Sequence, residues 1–371
     1  MSEQNGKRSD QESFAEQDEQ GLDFEQEWDA DNYRLIQPRF TANELLEHLI
    51  SNPEPVTGRD LYALSDLSRQ DAETIRQHWS AIPTERRRTV VQNLVDLAEN
   101  DLDWHLGRIL RIALHDSDAT VRRLAIEGLW EETESDLIGP LIEAVRRDED
   151  ESVRAAAANA LGSFVLAGEL DELDAALAMR AEQVLLEILR NHDEPIAVQS
   201  RALESIAFSG ETGIRQLIED AYYSQHEAMR VSALVAMGRS ADIHWRSYAR
   251  AELQSPSAAM RAEAARACGE LEAANAVNDL LPLLTDEAQT VRLTTIFALG
   301  RIGGKEARDA LRIVSDEAEP PEAEAAGEAL EEMLFYNESR AIGLFDEDED
   351  DDTDTDPWEF DDDDDLGEYE P

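Results

Sequence analysis

One motif returns along this chain at an almost fixed interval, and that interval limits the fold more than any other feature. The motif reads Val, Arg, two variable residues, Ala, two variable residues, Ala, Leu, Gly. It is complete at Val153-Arg154, Ala157, Ala160, Leu161, Gly162 and recurs from Met229-Arg230, Met260-Arg261 and Val291-Arg292. Weaker copies begin at Val90, Val121, Val198 and Glu322. The spacings from 90 through 121, 153, 198, 229, 260, 291 and 322 are 31, 32, 45, 31, 31, 31 and 31 residues. A sustained period of this length means an array in which each unit buries its apolar face only against its neighbours.

Offsets 0, 4, 7 and 8 of the motif share one face of a helix, and offset 5 widens it. Small residues at offsets 4 and 7 let a second helix approach to about 8–10 Å. Glycine near offset 9 predicts a left-handed helix end. Asp116, Asp148, Asp193 and Asp286 each sit five residues before a motif, where a short carboxylate orders a turn. A second apolar stretch precedes each turn, as in Leu106 to Leu114 and Leu137 to Val145. Two helices per period follow.

The Asp, then Val-Arg-x-x-Ala-x-x-Ala-Leu-Gly signature resembles the short HEAT-like repeats of the phycobilisome-lyase type. The resemblance implies an all-α chain, a right-handed α-solenoid of about eight HEAT-like helix pairs with disordered acidic tails. It also implies that the Val-Arg helices line the concave face. By the same resemblance Arg122, Arg154, Arg230, Arg261 and Arg292 form a structural ladder bridging to the preceding turns, weakened where Gln199 replaces arginine.

The domain boundaries follow from the same register. Residues 1–38 form an acidic tail predicted to be disordered, residues 39–80 an N-terminal cap with the first helices, and residues 81–340 the array. Residues 346–371 form a second acidic tail, also predicted to be disordered. Thr41 and Glu44 have the spacing of a capping box, and Pro53 and Pro55 break the helix it opens. The long interval carries about 14 extra residues around Gly168 to Arg180, whose leucine spacing predicts an added helical segment. The last helix, rich in glutamate from Glu322, suits a terminal cap with a polar outer face.

Charge narrows the function. The chain has 33 basic and 84 acidic residues in 371, a net charge of −51. Residues 1–31 hold 11 acids and two bases, and residues 346–371 hold 17 acids and no base. Such a surface repels phosphate backbones, so no direct nucleic-acid partner is expected. Only Lys7 and Lys305 are lysines, and a genome-wide bias in composition produces the same arginine and acid enrichment. No stretch reaches the 18 or so uncharged apolar residues of a membrane span, and no basic-then-apolar leader opens the chain. A cytoplasmic protein without a membrane partner is expected.

The chemistry-bearing residues do not assemble a catalytic set. Deoxyhypusine hydroxylase is built from similar repeats and holds two irons with several His-Glu pairs, whereas this chain has one pair, His226-Glu227. The lone cysteine, Cys268, occupies an apolar core position of its repeat, so a structural thiol is expected. No phosphate-binding glycine loop is present, and no cofactor is expected. A bilin-lyase-like enzyme or enzyme-assembly factor is the alternative that the resemblance allows. The expectation is a non-catalytic scaffold or adaptor that binds protein on its concave face. Exposed offsets on that face are expected to present Arg123, Leu124, Glu127, Arg201, Val231, Val235, Arg266, Leu293 and Phe297. Each of these either faces a groove or packs against the next repeat. The C-terminal tail interleaves Trp358 and Phe360 with acids, a composition that suits docking on a partner with a basic surface.

Overall fold

The computed structural model describes residues 39–341, apart from 101–103, 131, 133 and 212. Both acidic tails, with Trp358 and Phe360, lie outside the described residues. The described chain is all-α, with no strand among its residues.

A leading pair, α1 (Ala42–Ser51) and α2 (Gly58–Leu61), opens the chain. The Thr41 hydroxyl accepts from the Glu44 amide while the Glu44 carboxylate accepts from the Thr41 amide at 2.8 Å, which fixes where α1 begins. Eight pairs follow. They are α3 (Arg69–His78) with α4 (Thr84–Asn100), α5 (Gly107–Ala113) with α6 (Ala119–Glu127), α7 (Ile138–Arg147) with α8 (Glu151–Glu169), and α9 (Ala175–Arg190) with α10 (Ile196–Ile206). The array continues with α11 (Ile214–Tyr222) and α12 (Glu227–Arg239), α13 (Arg246–Glu252) and α14 (Ala258–Glu270), α15 (Val277–Leu280) and α16 (Gln289–Ile302), then α17 (Gly304–Glu317) and α18 (Glu322–Ala341).

All eight copies of the motif fall on the second helix of a pair. These second helices pack on one another in series, α4 on α6, α6 on α8 and onward to α16 on α18, while first helices pack on one another far less. A stack whose members approach closely along one edge and spread along the other bends toward the close edge. The motif helices therefore form the inner face. One core runs the length of the array from Leu45 to Met333.

Glycine near offset 9 does not cap these helices. Gly162, Gly238, Gly269 and Gly300 all lie inside helices, and the left-handed residues fall three positions after the last three, at Ala241, Glu272 and Gly303. The glycines instead mark where adjacent inner helices come closest. A Cβ on Gly269 would lie 2.7 Å from Cα of Ala298, the offset-7 alanine of the next repeat. The same pairing recurs at Gly300, where a Cβ would meet that of Ala329 at 2.9 Å. Glycine and alanine at these offsets are two halves of one contact.

The extra residues of the long interval are absorbed without a separate helix. Helix α8 runs on past Gly162 to Glu169, a turn places Asp171 at φ 57, and α9 extends to 16 residues. Leu173 and Leu177 pack on the core while Leu170 is exposed. Lengthening two paired helices places Leu173 and Leu177 against existing neighbours.

The close approach generates a paired prediction. Gly269→Ala forces a methyl against backbone, and overpacking of this kind costs about 1–3 kcal/mol. Gly139→Ala, on exposed helix surface with nothing within 4 Å of the new methyl, gains about 0.5–1 kcal/mol from helix propensity. Thermal and urea melts of the two variants should move in opposite directions. Equal shifts would remove the close-approach role of Gly269.

Candidate interaction surface on the inner helices

The inner helices are held in register by arginine. Arg122 donates two hydrogen bonds of 2.7 Å to the Asp148 carboxylate in the next turn, and a third to the Asp116 carbonyl of its own turn at 2.9 Å. Asp148 in turn accepts the Asp150 amide, and its carbonyl accepts from Arg154, which reaches on to Glu194 at 2.8 Å. Arg261 repeats the arrangement with Asp286 and the Ser255 carbonyl, and Arg292 with Glu322 and the Asp286 carbonyl. Each turn thus uses its backbone carbonyl for its own arginine and, where present, its carboxylate for the arginine of the preceding repeat. In the 198 copy, Asn191 rather than Asp193 orders the turn, since the Asn191 side-chain oxygen accepts the Asp193 amide.

The lattice breaks in the middle. Gln199 reaches only the Glu194 and Asn191 carbonyls, and Arg230 reaches the Ser224 and Gln225 carbonyls. Ser224 and Ser255 stand where the other turns carry a carboxylate. A different polar set links these repeats. Glu204, buried in α10, pairs with Arg201 at 2.5 Å, accepts from Ser232 of α12 at 2.6 Å, and offers its carbonyl to Arg239 at 3.0 Å.

At the N-terminal end Arg87 takes the role of the motif arginine from a different offset. Its guanidinium grips Asp116 at 2.6 and 3.0 Å, and Trp79 donates to the same carboxylate at 2.6 Å. Both charged side chains are at most 5% exposed. The sequence signal was present in Arg86-Arg87-Arg88, but Arg87 falls before the motif and its register does not identify it.

The surface-facing residues divide into three groups. Arg123 is half-buried and paired with exposed Glu127 on the same helix at 2.5 Å, and Arg201 is exposed apart from its pairing with Glu204. Val231, Val235 and Leu293 are half-buried. Phe297 is 37% exposed, with the Arg266 guanidinium 5.9 Å from its ring centroid and Glu263 holding Arg266 at 3.1 Å. Val231, Val235, Arg266, Leu293 and Phe297 lie on the consecutive helices α12, α14 and α16 and make a stripe of apolar surface with a stacked cation. Leu124 does not belong to the surface. It is 3% exposed because its apolar side chain belongs to the continuous core, whereas Arg201 at the same offset keeps its charged end at the surface.

Two further groups lie close to this stripe. Arg239 stacks over Phe208 at 5.3 Å, a contact that the motif register does not reveal because Phe208 lies just beyond a motif helix. One carboxylate oxygen of Glu270 is buried without a hydrogen-bond partner and lies against Gly238, and burial raises the pKa of this group. Cys268 is fully buried, and burial pushes its thiol up to about 12. That is the opposite of what a nucleophilic thiolate requires. His226 is exposed at the start of α12, and Glu227 accepts from Ser257. Among the described residues no group of three or more His, Cys, Asp or Glu side chains is placed to hold a metal. No helix of the described chain is long and apolar enough to cross a membrane.

The arginine lattice has a pH signature. The hydrogen bonds from Arg261 hold the Asp286 carboxyl below its ordinary value, helped by the Ala288 amide. A carboxyl depressed in the folded state contributes stability that is complete above the unfolded value and is lost as pH falls through the folded one. Arg261→Gln should therefore cost about 1.5–3 kcal/mol at pH 7, and its deficit against the parent should narrow in urea melts toward pH 3. A deficit that does not change with pH would exclude ionic coupling at this junction.

The repeat architecture has counterparts among known proteins. A family described as HEAT repeats matches residues 107–184 and 248–331. No curated protein matches the sequence. Human deoxyhypusine hydroxylase is similar over 72% of this chain and 96% of its own, at 18% identity and a TM-score of 0.33. The complex of CpcE and CpcF of phycocyanin lyase from Nostoc sp. is similar over 62% of this chain and 94% of that one, at 18% identity and 0.41. Importin beta is similar over 81% of this chain and 48% of that one, at 15% identity and 0.41. The helix pairs, their recurring motif and the matched repeats make this chain a HEAT-like repeat protein.

Proposed function

We propose that this protein is a non-catalytic scaffold or adaptor that binds another protein along its inner face. The observation that carries the reading is the stripe centred on Phe297, which leaves an aromatic ring 37% exposed beside the stacked Arg266. Partly exposed apolar groups flanked by arginine supply the buried centre and polar rim of a protein interface. Val231, Val235 and Leu293 extend the apolar centre, and Arg201, Arg123 and Glu127 supply polar contacts further along the array. The buried, high-pKa thiol of Cys268 supports the absence of thiol catalysis.

The domain limits given above, with acidic tails at 1–38 and 346–371 flanking the cap and array, belong to the same proposal, as does a cytoplasmic location. The C-terminal tail recruits a protein with a basic surface, with charge speeding encounter and Trp358 and Phe360 supplying contacts that resist salt. The same negative charge disfavours direct nucleic-acid binding.

The test is quantitative affinity purification of four forms at two salt concentrations. They are the full chain, Val235→Glu with Phe297→Glu, Trp358→Ala with Phe360→Ala, and a chain ending at Phe345, each checked for native helicity. Partners of the inner face should fall at least about ten-fold with the glutamate variant, equivalent to roughly 1.4 kcal/mol. Tail-dependent partners should fall with the two tail variants and bind the full chain less as salt rises. Retention of the same partners by all four forms would refute both halves of the reading.

A further inference from the structure

The outer surface of the array carries an aromatic cluster that the repeat does not require. Tyr222 and Tyr223 end α11, and Trp245 and Tyr248 lie at the start of α13. The corresponding positions for Tyr222 and Tyr223 in the next pair are Leu253 and Gln254, and the position matching Tyr248 in the preceding pair is Leu217. A repeat position filled by leucine in its neighbour needs only apolar bulk, so Tyr222 and Tyr248 exceed what packing demands, and Tyr223 stands where the next pair has glutamine.

The cluster is rigid beneath and open above. Trp245 is 1% exposed and stacks edge-to-face on Tyr248 at 5.2 Å. Tyr248 meets Tyr222 in the same way at 5.5 Å, and Tyr222 meets Tyr223 at 5.0 Å. The Tyr222 hydroxyl donates to Glu252 at 2.7 Å, which fixes its ring. Tyr223 is 67% exposed, His244 is exposed beside Tyr248, and Ile243 is 66% exposed.

The charges around the cluster are one-sided. Glu252 and Glu219 lie at its edge. The nearby arginines are already engaged, Arg215 with Asp242, Arg250 with Asp279 and Arg246 with the Leu271 carbonyl. Exposed aromatic faces rimmed by carboxylates attract a cation through both the ring quadrupole and Coulomb forces.

We propose that this patch on α11 and α13 is a second interaction surface, one that docks an arginine- or lysine-bearing segment of a partner protein over the Tyr223 ring. The acidic tails of this chain are repelled from it. A cation held over Tyr223 has Glu219 and Glu252 as counter-charges and Ile243 as a contact for its aliphatic stem. The surface lies on the side of the array opposite the inner stripe, so it engages independently of the Phe297 site.

The experiment uses the full-length chain and a short fluorescent peptide carrying two arginines, read by anisotropy at about 150 mM salt, where long-range attraction to the acidic chain is screened. The same peptide with citrulline in place of arginine is the uncharged control. Tyr223→Ala with His244→Ala should weaken the arginine peptide at least about five-fold, while Tyr223→Phe stays within about two-fold of the parent. Both positions are exposed, so native helicity and melting should be kept, and Ile243→Ser offers an independent lesion of the patch with a smaller loss in the same direction. Equal binding by the parent and the alanine variant, equal loss in Tyr223→Phe, no preference for arginine over citrulline, or no binding by the parent each overturns the proposal. None of these outcomes depends on the inner-face variants, so this surface and the Phe297 stripe stand or fall separately.

Discussion

The array depends on how closely neighbouring inner helices can approach. Gly269 faces Ala298 and Gly300 faces Ala329 at distances that leave no room for a larger side chain. Helices this close lose almost all water between them, and the apolar offsets on either flank are buried in the same step. The first helices have no such contact and spread apart, so the stack bends. Curvature, inner face and continuous core all follow from one pair of small residues repeated at a constant interval.

Polar bonds then set the register that packing alone would leave loose. An alanine-lined helix surface is smooth and permits sliding, whereas Arg122 gripping Asp148, or Arg261 gripping Asp286, fixes both the spacing and the rotation of adjacent turns. The carboxylates and carbonyls are shared in a chain, so each turn is tied to its own helix and to the helix before it. Where Ser224 and Ser255 interrupt that chain, the Glu204, Ser232 and Arg239 set supplies the cross-links instead. These central repeats also present Val231 and Val235, and they carry the outer tyrosines. The outer tyrosines therefore sit where the lattice departs from its regular form, whereas Phe297 lies on α16, where Arg261 and Arg292 keep that form.

Array stability and surface chemistry are separable in such an architecture. A consensus position must serve the neighbour on either side, which leaves little room for variation. A position at the surface of the stack is not held to small size by a closely packed helix, so Phe297, beside Arg266 of the preceding repeat, and the exposed Tyr223 can be aromatic. The buried Arg87, Asp116 and Trp79 group illustrates the other limit, since removing Asp116 would strand a charge inside the protein.

The sequence determined the helix pairs, their number and the face each motif helix turns inward, because a 31-residue period with small residues at fixed offsets admits no other way to bury its leucines. The capping box at Thr41 was equally legible, being a bond between residues three apart. The tertiary structure alone decided what depends on two repeats at once. The glycines read as helix caps from one helix, and only the position of Ala298 reveals them as contact points. Leu124 reads as exposed until the core of the stacked repeats takes it in. The extra residues of the long interval read as an added helical segment, and only the structure shows that the added length is shared by two paired helices, with Leu173 and Leu177 against the existing core. Arg87 and the Tyr222, Tyr223 and Tyr248 cluster leave no periodic trace, since their partners are set by the stacking of one pair on the next and not by distance along the chain.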